Sequence, residues 1–225
     1  MLTDLVQEAV DSLVPAVHRQ PTGEPLTRGG QATYQRAAHL PRTDLPLREQ
    51  LDLRFIPQRG AYADITSVLN GIDHLQTTGP VTVAFADNLY PSDNPSQALA
   101  TVPPGQAAVL VRPYDPREST RRGVIISDDD STAPIILDLV EKPTADRARE
   151  LEDQHGRGRL WLLEGRARLG NDFLDHLRGT PMQPTGEPKL SLAIRSYATT
   201  HPVRLVPTAS PVIDLGTRRI LAPTP

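Results

Sequence analysis

The sequence VTVAFADNLY at residues 81–90 places a carboxylate directly after a short apolar run. The run at 81–86 has the length and composition of a buried β-strand. Strand character is also predicted at 51–56, and helical periodicity at 62–75 separates the two. A strand, a helix and a strand within about 35 residues are typical of a βαβ unit, in which the strands pair in parallel. The stretch therefore predicts an α/β protein with helices that cover a sheet.

The rest of the chain extends this pattern without an internal repeat. An amphipathic helix is predicted at 2–14, and residues 15–50 are rich in Pro, Gly, Thr and Arg, which indicates a loop region. The further predicted strands are 107–111, 123–126, 135–140, 160–169 and 203–206. The further predicted helices are 145–154, 172–177 and 190–198. We expect one domain over 1–225, with an atypical region at 1–50 and a core at 51–220.

Composition excludes several classes of protein. The formal charge of -3 and the pI near 6.1 give no basic field for nucleic acid, so no nucleic-acid partner is expected. The absence of cysteine excludes disulfides and thiolate metal sites. No apolar run approaches the roughly 20 residues that span a bilayer, and no signal peptide is recognisable. We therefore expect a cytoplasmic protein with no membrane partner.

Lysine is nearly missing from the chain. Of 24 basic residues, only Lys142 and Lys189 are lysines, and the others are arginines. Each surviving lysine therefore needs an explanation of its own.

Asp87 occupies a position that suits a ligand site. In open α/β sheets, ligands bind outside the carboxyl ends of the strands. Mg²⁺ prefers oxygen ligands and usually combines one or two carboxylates with substrate phosphates. An aspartate directly after a strand can also be a turn residue or a helix cap. The rest of the sequence must therefore decide whether Asp87 is a metal ligand.

Several segments together resemble the sugar-1-phosphate nucleotidyltransferases. The run at 81–90 is similar to the family's "GDN-Y" strand end, and Glu141-Lys142-Pro143 is similar to its "EKP". Residues 163–169 with 172–174 resemble its Gly-x-Tyr strand and the helix that follows. Gly186-Glu187 and the segment 212–217 resemble its "GE" helix and terminal "D-G". The segments follow in the family's order over roughly residues 50–220.

Within this family, the likeness is greatest to the bacterial uridylyltransferases that make UDP-glucose from UTP and glucose 1-phosphate. The Gly-Arg-x-x-Leu form at Gly165 and the helix with Gln7-Glu8-Ala9-Val10 favour them. Thymidylyl and other sugar-1-phosphate transferases remain alternatives. The resemblance implies a Rossmann-like, glycosyltransferase-A-like fold with a mixed, mainly parallel sheet and helices on both faces.

The resemblance also assigns roles to individual residues. It implies that Asp87 and Asp214 hold Mg²⁺ and that Lys142 neutralises the sugar phosphate. Glu141 would accept hydrogen bonds from sugar hydroxyls. Glu187, Gly165 and Gly123 would contact the hexose, and Gln58 would read the nucleobase. The implied partners are a nucleoside triphosphate and a sugar 1-phosphate. A homo-oligomer is also expected, because members of the family commonly assemble through helices.

Two features depart from the family pattern. The segment after Gln58 reaches Gly60 sooner than the family spacing. The family's first strand and its Gly-x-Gly-Thr-Arg loop, which cradles the triphosphate, have no counterpart in the sequence. We expect either a start codon placed too late or a degenerate relative. Correspondingly, the function is either nucleotidyl transfer or binding of a sugar phosphate or nucleotide sugar without catalysis, as the partner of an intact paralogue. Chance motif matches in a generic α/β domain are a third reading.

Overall fold

The computed structural model describes residues 56, 59–60, 63–76, 79–128, 132–179 and 189–214. The chain groups into two compact units, Met1–Gln76 and Thr77–Pro225. The prediction of a single domain over 1–225 stays a prediction.

In the first unit, the structure describes the helix α1 at Asp64–Leu75. Ile65 and Ile72 are buried, and their spacing of seven residues places them on one helix face. The helix ends at Gln76, whose left-handed backbone directs its N–H to the carbonyl of Ile72 at 2.9 Å. The helix predicted at 62–75 is thus confirmed.

The second unit is a curled sheet with helices packed against it. Its strands are β1 Val81–Ala84, β2 Asn88–Leu89, β3 Ala107–Pro113, β4 Gly123–Ser127, β5 Ile136–Glu141, β6 Leu160–Leu169, β7 Val203–Pro207 and β8 Ile213–Asp214. Its helices are α2 Pro95–Ala100, α3 Ala145–His155, α4 Asn171–Gly179 and α5 Leu190–Ala198. Short 3₁₀ turns lie at Ser119–Arg121 and Arg157–Arg159.

The long strand β6 organises the sheet. The strand order is β5-β4-β6-β3-β7, and β1 also pairs with β6. Because β3 occupies one edge of β6 along most of its length, β1 and β4 share the other edge. A separate two-stranded sheet is formed by β2 and β8.

The described sheet is mixed. The β3–β7 pair is parallel, and the other described strand pairs are antiparallel. The strand predicted at 51–56 and its parallel pairing lie outside the described residues. The segment before β5 also reaches β7, because the Leu205 N–H donates to the Pro134 carbonyl at 2.9 Å. This contact joins the two ends of the sheet, which is therefore curled. The strands and helices together confirm the predicted mixed α/β fold.

Helices bury apolar side chains against the sheet. On one face, Leu151 of α3 packs with Leu160 and Leu162 of β6, and Leu99 of α2 packs with Leu110 of β3. Elsewhere in the core, Phe173 of α4 and Tyr197 of α5 meet edge to face, with 4.8 Å between ring centroids. Among the described residues, no helix is long and apolar enough to span a membrane.

Most of the sequence-predicted elements are present. β6 and α5 have the predicted bounds, and the other predicted elements between 107 and 206 agree to within a few residues. The predictions missed α2 and the two-residue strands β2 and β8. The predicted helix at 2–14 lies outside the described residues.

Candidate functional site

The candidate site lies where β1 and β4 meet along one edge of β6. β4 pairs with residues 160–162 of β6, and β1 pairs with residues 166–169. Just beyond β1, the Phe85 N–H donates to the Gly165 carbonyl at 2.8 Å. The carboxyl end of β1 and the amino end of β4 therefore approach each other beside residues 163–165.

Asp87, Asn88 and Asp214 meet at the carboxyl end of β1. β2 pairs with β8 so that Asn88 lies opposite Asp214. Asp87 precedes Asn88, and its Oδ1 accepts a hydrogen bond from the Asn88 side-chain amide at 2.7 Å. The structure thus brings close together the backbones of two aspartates that are 127 residues apart in the sequence.

Gly165 leaves room for the Asn88 side chain, which lies against it. A Cβ on Gly165 would stand 2.6 Å from Asn88 Nδ2 and 3.2 Å from Phe85 Cβ. Side chains do not pack at 2.6 Å without moving. The glycine therefore allows the Asn88 amide to lie directly on β6.

A second group of residues surrounds the start of β4. Gly123 pairs with Glu141 across β4 and β5, and a Cβ on Gly123 would stand 3.3 Å from Glu141 Oε2. The other carboxylate oxygen, Oε1, lies 3.5 Å from the ammonium of Lys189. Gly123 also lies beside Leu163, which is about 7 Å along β6 from Gly165. The two groups of residues are therefore neighbours along one strand.

Lys142 has an uncommon backbone conformation. Its φ of 45° lies in the left-handed region, which costs energy for a residue with a Cβ. Its N–H donates to the Arg122 carbonyl at 3.2 Å, and Thr144 caps α3 two residues later. The side chain is exposed and forms no ion pair with any residue that the structure describes. Its charge is therefore available to a ligand.

Asp87 and Asp214 offer the kind of oxygen ligand that Mg²⁺ prefers, and substrate phosphates would have to complete its coordination. Asp87 is exposed and Asp214 is partly exposed. Within the described residues, no group of three or more Asp, Glu, His or Cys side chains is arranged to hold a metal. Two carboxylates are the usual protein contribution to Mg²⁺ that also binds phosphates.

A buried charge network lies under the site. Glu164 is fully buried and accepts hydrogen bonds from Arg112 and Arg122, each at 2.8 Å. Glu118 joins the same arginines at 2.8 and 3.1 Å. Burial raises the pKa of Glu164, and the two guanidinium groups act against this shift. Because Glu164 precedes Gly165 and Arg122 precedes Gly123, the network ties the two glycines together.

Tyr90 and Arg166 extend this buried region toward α2. The Arg166 guanidinium lies 5.0 Å from the centroid of the Tyr90 ring and donates to the Ser96 hydroxyl. The Tyr90 hydroxyl lies near the backbone of Gly165 without hydrogen-bond geometry to any described group. Burial raises the pKa of Tyr90 to about 12, and the charge of Glu164 acts in the same direction.

The structure gathers most of the residues to which the sequence assigned a role. Six of them lie in the two neighbouring groups just described: Asp87, Gly123, Glu141, Lys142, Gly165 and Asp214. Gln58 and Glu187 lie outside the described residues. The roles of all eight stay predictions.

Sequence reasoning missed three contributors to this region. Asn88 was part of the quoted motif but received no role, although it joins Asp87 to Gly165. Lys189 was noted for its rarity alone, and its place beside Glu141 depends on how α5 packs. The partners of Glu164 are distant in sequence, so no local signal indicates them.

Comparison with known proteins gives matches in structure and none in sequence. No family model and no curated protein sequence matches the chain. A UDP-glucose pyrophosphorylase complexed with UDP-glucose matches with a TM-score of 0.56 at 21% identity, covering 71% of this chain and 59% of that one. An apo UDP-glucose pyrophosphorylase matches with a TM-score of 0.62 at 16% identity, covering 94% and 80%. A mannose-1-phosphate geranyltransferase from Thermus thermophilus matches with a TM-score of 0.58 at 16% identity, covering 96% and 68%.

These matches confirm the resemblance at the level of the fold. The chain has the fold of UDP-glucose pyrophosphorylases and related sugar-1-phosphate nucleotidyltransferases. It spans 59% of the length of the UDP-glucose complex and 80% of the length of the apo enzyme.

Proposed function

We propose that the protein transfers a nucleotidyl group from a nucleoside triphosphate, preferably UTP, to a sugar 1-phosphate, preferably glucose 1-phosphate. The observation that carries this proposal is the meeting of the Asp87–Asn88–Asp214 group and the Gly123–Glu141–Lys142 group beside Gly165. One group offers carboxylates for a metal that binds phosphates. The other offers a cation and a hydrogen-bond acceptor beside two glycines, as a sugar phosphate needs.

The reaction joins the two substrates at phosphorus. A phosphate oxygen of the sugar 1-phosphate attacks the α-phosphorus of the triphosphate, the bond from that phosphorus to the β-phosphate breaks, and pyrophosphate leaves. Such transfers depend mainly on positioning and on charge neutralisation. The protein therefore needs no general base of shifted pKa at this site.

Each residue of the site has a part in this reaction. Lys142 neutralises the acceptor phosphate as a mobile point charge. Glu141 accepts hydrogen bonds from sugar hydroxyls, and the glycines at 123 and 165 allow the ring to approach the backbone. Asp87 and Asp214 would hold Mg²⁺, which when bound supplies positive charge to the phosphates.

UTP and glucose 1-phosphate are the first choice of substrates because of the Gly-Arg-x-x-Leu sequence at Gly165. Two of the structures with the same fold are UDP-glucose pyrophosphorylases, one of them bound to UDP-glucose. One structure with the same fold is an enzyme named for mannose 1-phosphate, so mannose 1-phosphate has to be tested beside glucose 1-phosphate as the acceptor.

The test is release of pyrophosphate from the protein with Mg²⁺, each of the four nucleoside triphosphates, and glucose or mannose 1-phosphate. We expect the highest rate with UTP and glucose 1-phosphate. Asp87→Asn should lower kcat at least about 100-fold, because it removes a ligand of the ion that would neutralise the phosphates. Asp175→Asn is the control, because Asp175 pairs with Arg178 on the exposed face of α4.

Two negative outcomes have different meanings. Folded protein that releases no pyrophosphate with any substrate pair contradicts catalysis. If calorimetry then shows that UDP-glucose binds, the function is that of a nucleotide-sugar binding module. If UDP-glucose, UTP and both sugar phosphates all fail to bind, the proposal is wrong in both forms.

A further inference from the structure

The two lysines of the chain, Lys142 and Lys189, both adjoin one residue, Glu141. Lys142 follows Glu141 directly, and the Lys189 ammonium lies 3.5 Å from Glu141 Oε1. The chain uses arginine at every other basic position. The two lysines of the chain are therefore placed at one residue, Lys142 by sequence and Lys189 by folding.

The backbones of both lysines are fixed. The Lys142 N–H is held by the Arg122 carbonyl, and its φ of 45° is retained despite the cost. Lys189 directly precedes α5, and its carbonyl accepts hydrogen bonds from Leu192 and Ala193 at 3.0 and 3.2 Å. The long side chains are therefore the mobile parts of two anchored residues.

The contact between Lys189 and Glu141 is loose. A distance of 3.5 Å exceeds the 2.7–2.9 Å of a charge-assisted hydrogen bond. The Lys189 side chain is 36% exposed, while the Glu141 side chain is 17% exposed. The ammonium can thus turn toward a second anion without a change in the backbone.

Lysine suits this exchange of partners better than arginine. An arginine would bind the carboxylate with two parallel hydrogen bonds and hold it in one geometry. A lysine is a point charge with three donors on a flexible stem, so it can serve Glu141 and an incoming phosphate in turn. The charges of Lys142, Lys189 and Glu141 sum to +1, which favours a phosphomonoester over a neutral sugar.

We propose that Lys189 is the second cation of the sugar-phosphate subsite. In the free protein it holds Glu141 beside Gly123, and on binding it contacts the phosphate together with Lys142, which leaves Glu141 to accept a sugar hydroxyl. This inference rests on the proposed function and adds a residue that determines affinity for the phosphomonoester.

The scarcity of lysine makes a direct test practical. Reductive methylation with ¹³C-formaldehyde labels two lysine side chains and the terminal amine of the whole protein, and methylation preserves the lysine charges. Lys142→Arg and Lys189→Arg assign the two signals. We expect both signals to move with one dissociation constant on titration with glucose 1-phosphate or inorganic phosphate, and neither to move with glucose.

The outcomes separate the inference from the proposed function. If the Lys142 signal alone moves, Lys189 is not part of the subsite, although the proposed function stands. If neither signal moves up to saturating phosphate and glucose 1-phosphate, both the inference and the proposed subsite are wrong.

Kinetics test the same inference against a purely structural role for Lys189. Arg195 of α5 pairs with Asp138 of β5 at 2.7 Å, and so ties the helix that Lys189 precedes to the strand that contains Glu141. Lys189→Met should raise the KM for the sugar phosphate about tenfold or more with little change in kcat, as expected when a charged hydrogen bond is lost. Arg195→Met should leave that KM unchanged. Equal effects of the two substitutions on KM would overturn the inference.

Discussion

Replacement of Gly165 by alanine tests the packing that forms the site. The added Cβ would stand 2.6 Å from Asn88 Nδ2, 3.2 Å from Asn88 Cγ and 3.2 Å from Phe85 Cβ. With about 3.5 Å as the normal separation, the amide nitrogen must move by about 0.9 Å. Phe85 is held by its N–H bond to the Gly165 carbonyl, so the Asn88 side chain has to give way.

The displacement should act on both stability and binding. Overpacking costs about 1–3 kcal/mol in a core that cannot move, and because the Asn88 amide ends a flexible side chain we expect about 1 kcal/mol here. The 2.7 Å hydrogen bond from Asn88 to Asp87 would also be lost, which should weaken UDP-glucose binding in the presence of Mg²⁺ about tenfold or more. Urea unfolding gives the first quantity and calorimetry gives the second.

A matched control and a double variant make this prediction decisive. A Cβ on Gly158 meets no atom within 4 Å, so Gly158→Ala should leave binding unchanged. In an Asn88→Ala background only the 3.2 Å approach to Phe85 Cβ remains, so Gly165→Ala should then cost less than it does in the native background. If Gly165→Ala destabilises both backgrounds equally, Asn88 does not pack on Gly165 as described.

Two further predictions concern the buried charges under the site. Glu164→Ala removes the shared acceptor of two arginines and should cost about 3 kcal/mol in urea unfolding. Glu164→Gln should cost less, because burial favours the neutral form of this carboxyl, and the exposed Glu150→Gln should cost under about 0.5 kcal/mol. Equal losses for Glu164→Ala and Glu150→Gln would contradict the network. The pKa of Tyr90 is about 12 in the folded protein and near 10 in the unfolded chain. Its contribution to the free energy of unfolding is therefore complete below pH 10 and is lost as the pH rises through 12. Tyr90→Phe should therefore lose less stability than the native protein between pH 9 and 11, and equal losses would show that Tyr90 ionises normally.

The sequence predicted the elements whose patterns are long and local. The strand at 160–169 and the helix at 190–198 have the predicted bounds because alternation and helical periodicity extend over nine or ten residues. The helix α2 was missed because six residues are too few to show a period. Asn94 caps it and Pro95 starts it, which is the signal that would have revealed it.

Local sequence patterns could not predict which strands pair. The two-residue strands β2 and β8 form only because they pair with each other, and the paired residues Asn88 and Asp214 are far apart in the chain. The antiparallel pairing of β6 with β1, β3 and β4 likewise depends on the tertiary fold. The motifs indicated the site residues individually, whereas their grouping beside Gly165 required the register of β6.

Hydrogen–deuterium exchange tests the location of the site most directly. The whole protein is exchanged with and without UDP-glucose and Mg²⁺, and protection is measured segment by segment. We predict slower exchange at 85–90, 122–124, 141–142 and 163–166, with little change on the exposed face of α3. Bound ligand that protects other segments and leaves these four unchanged would contradict the assignment of this region as the binding site.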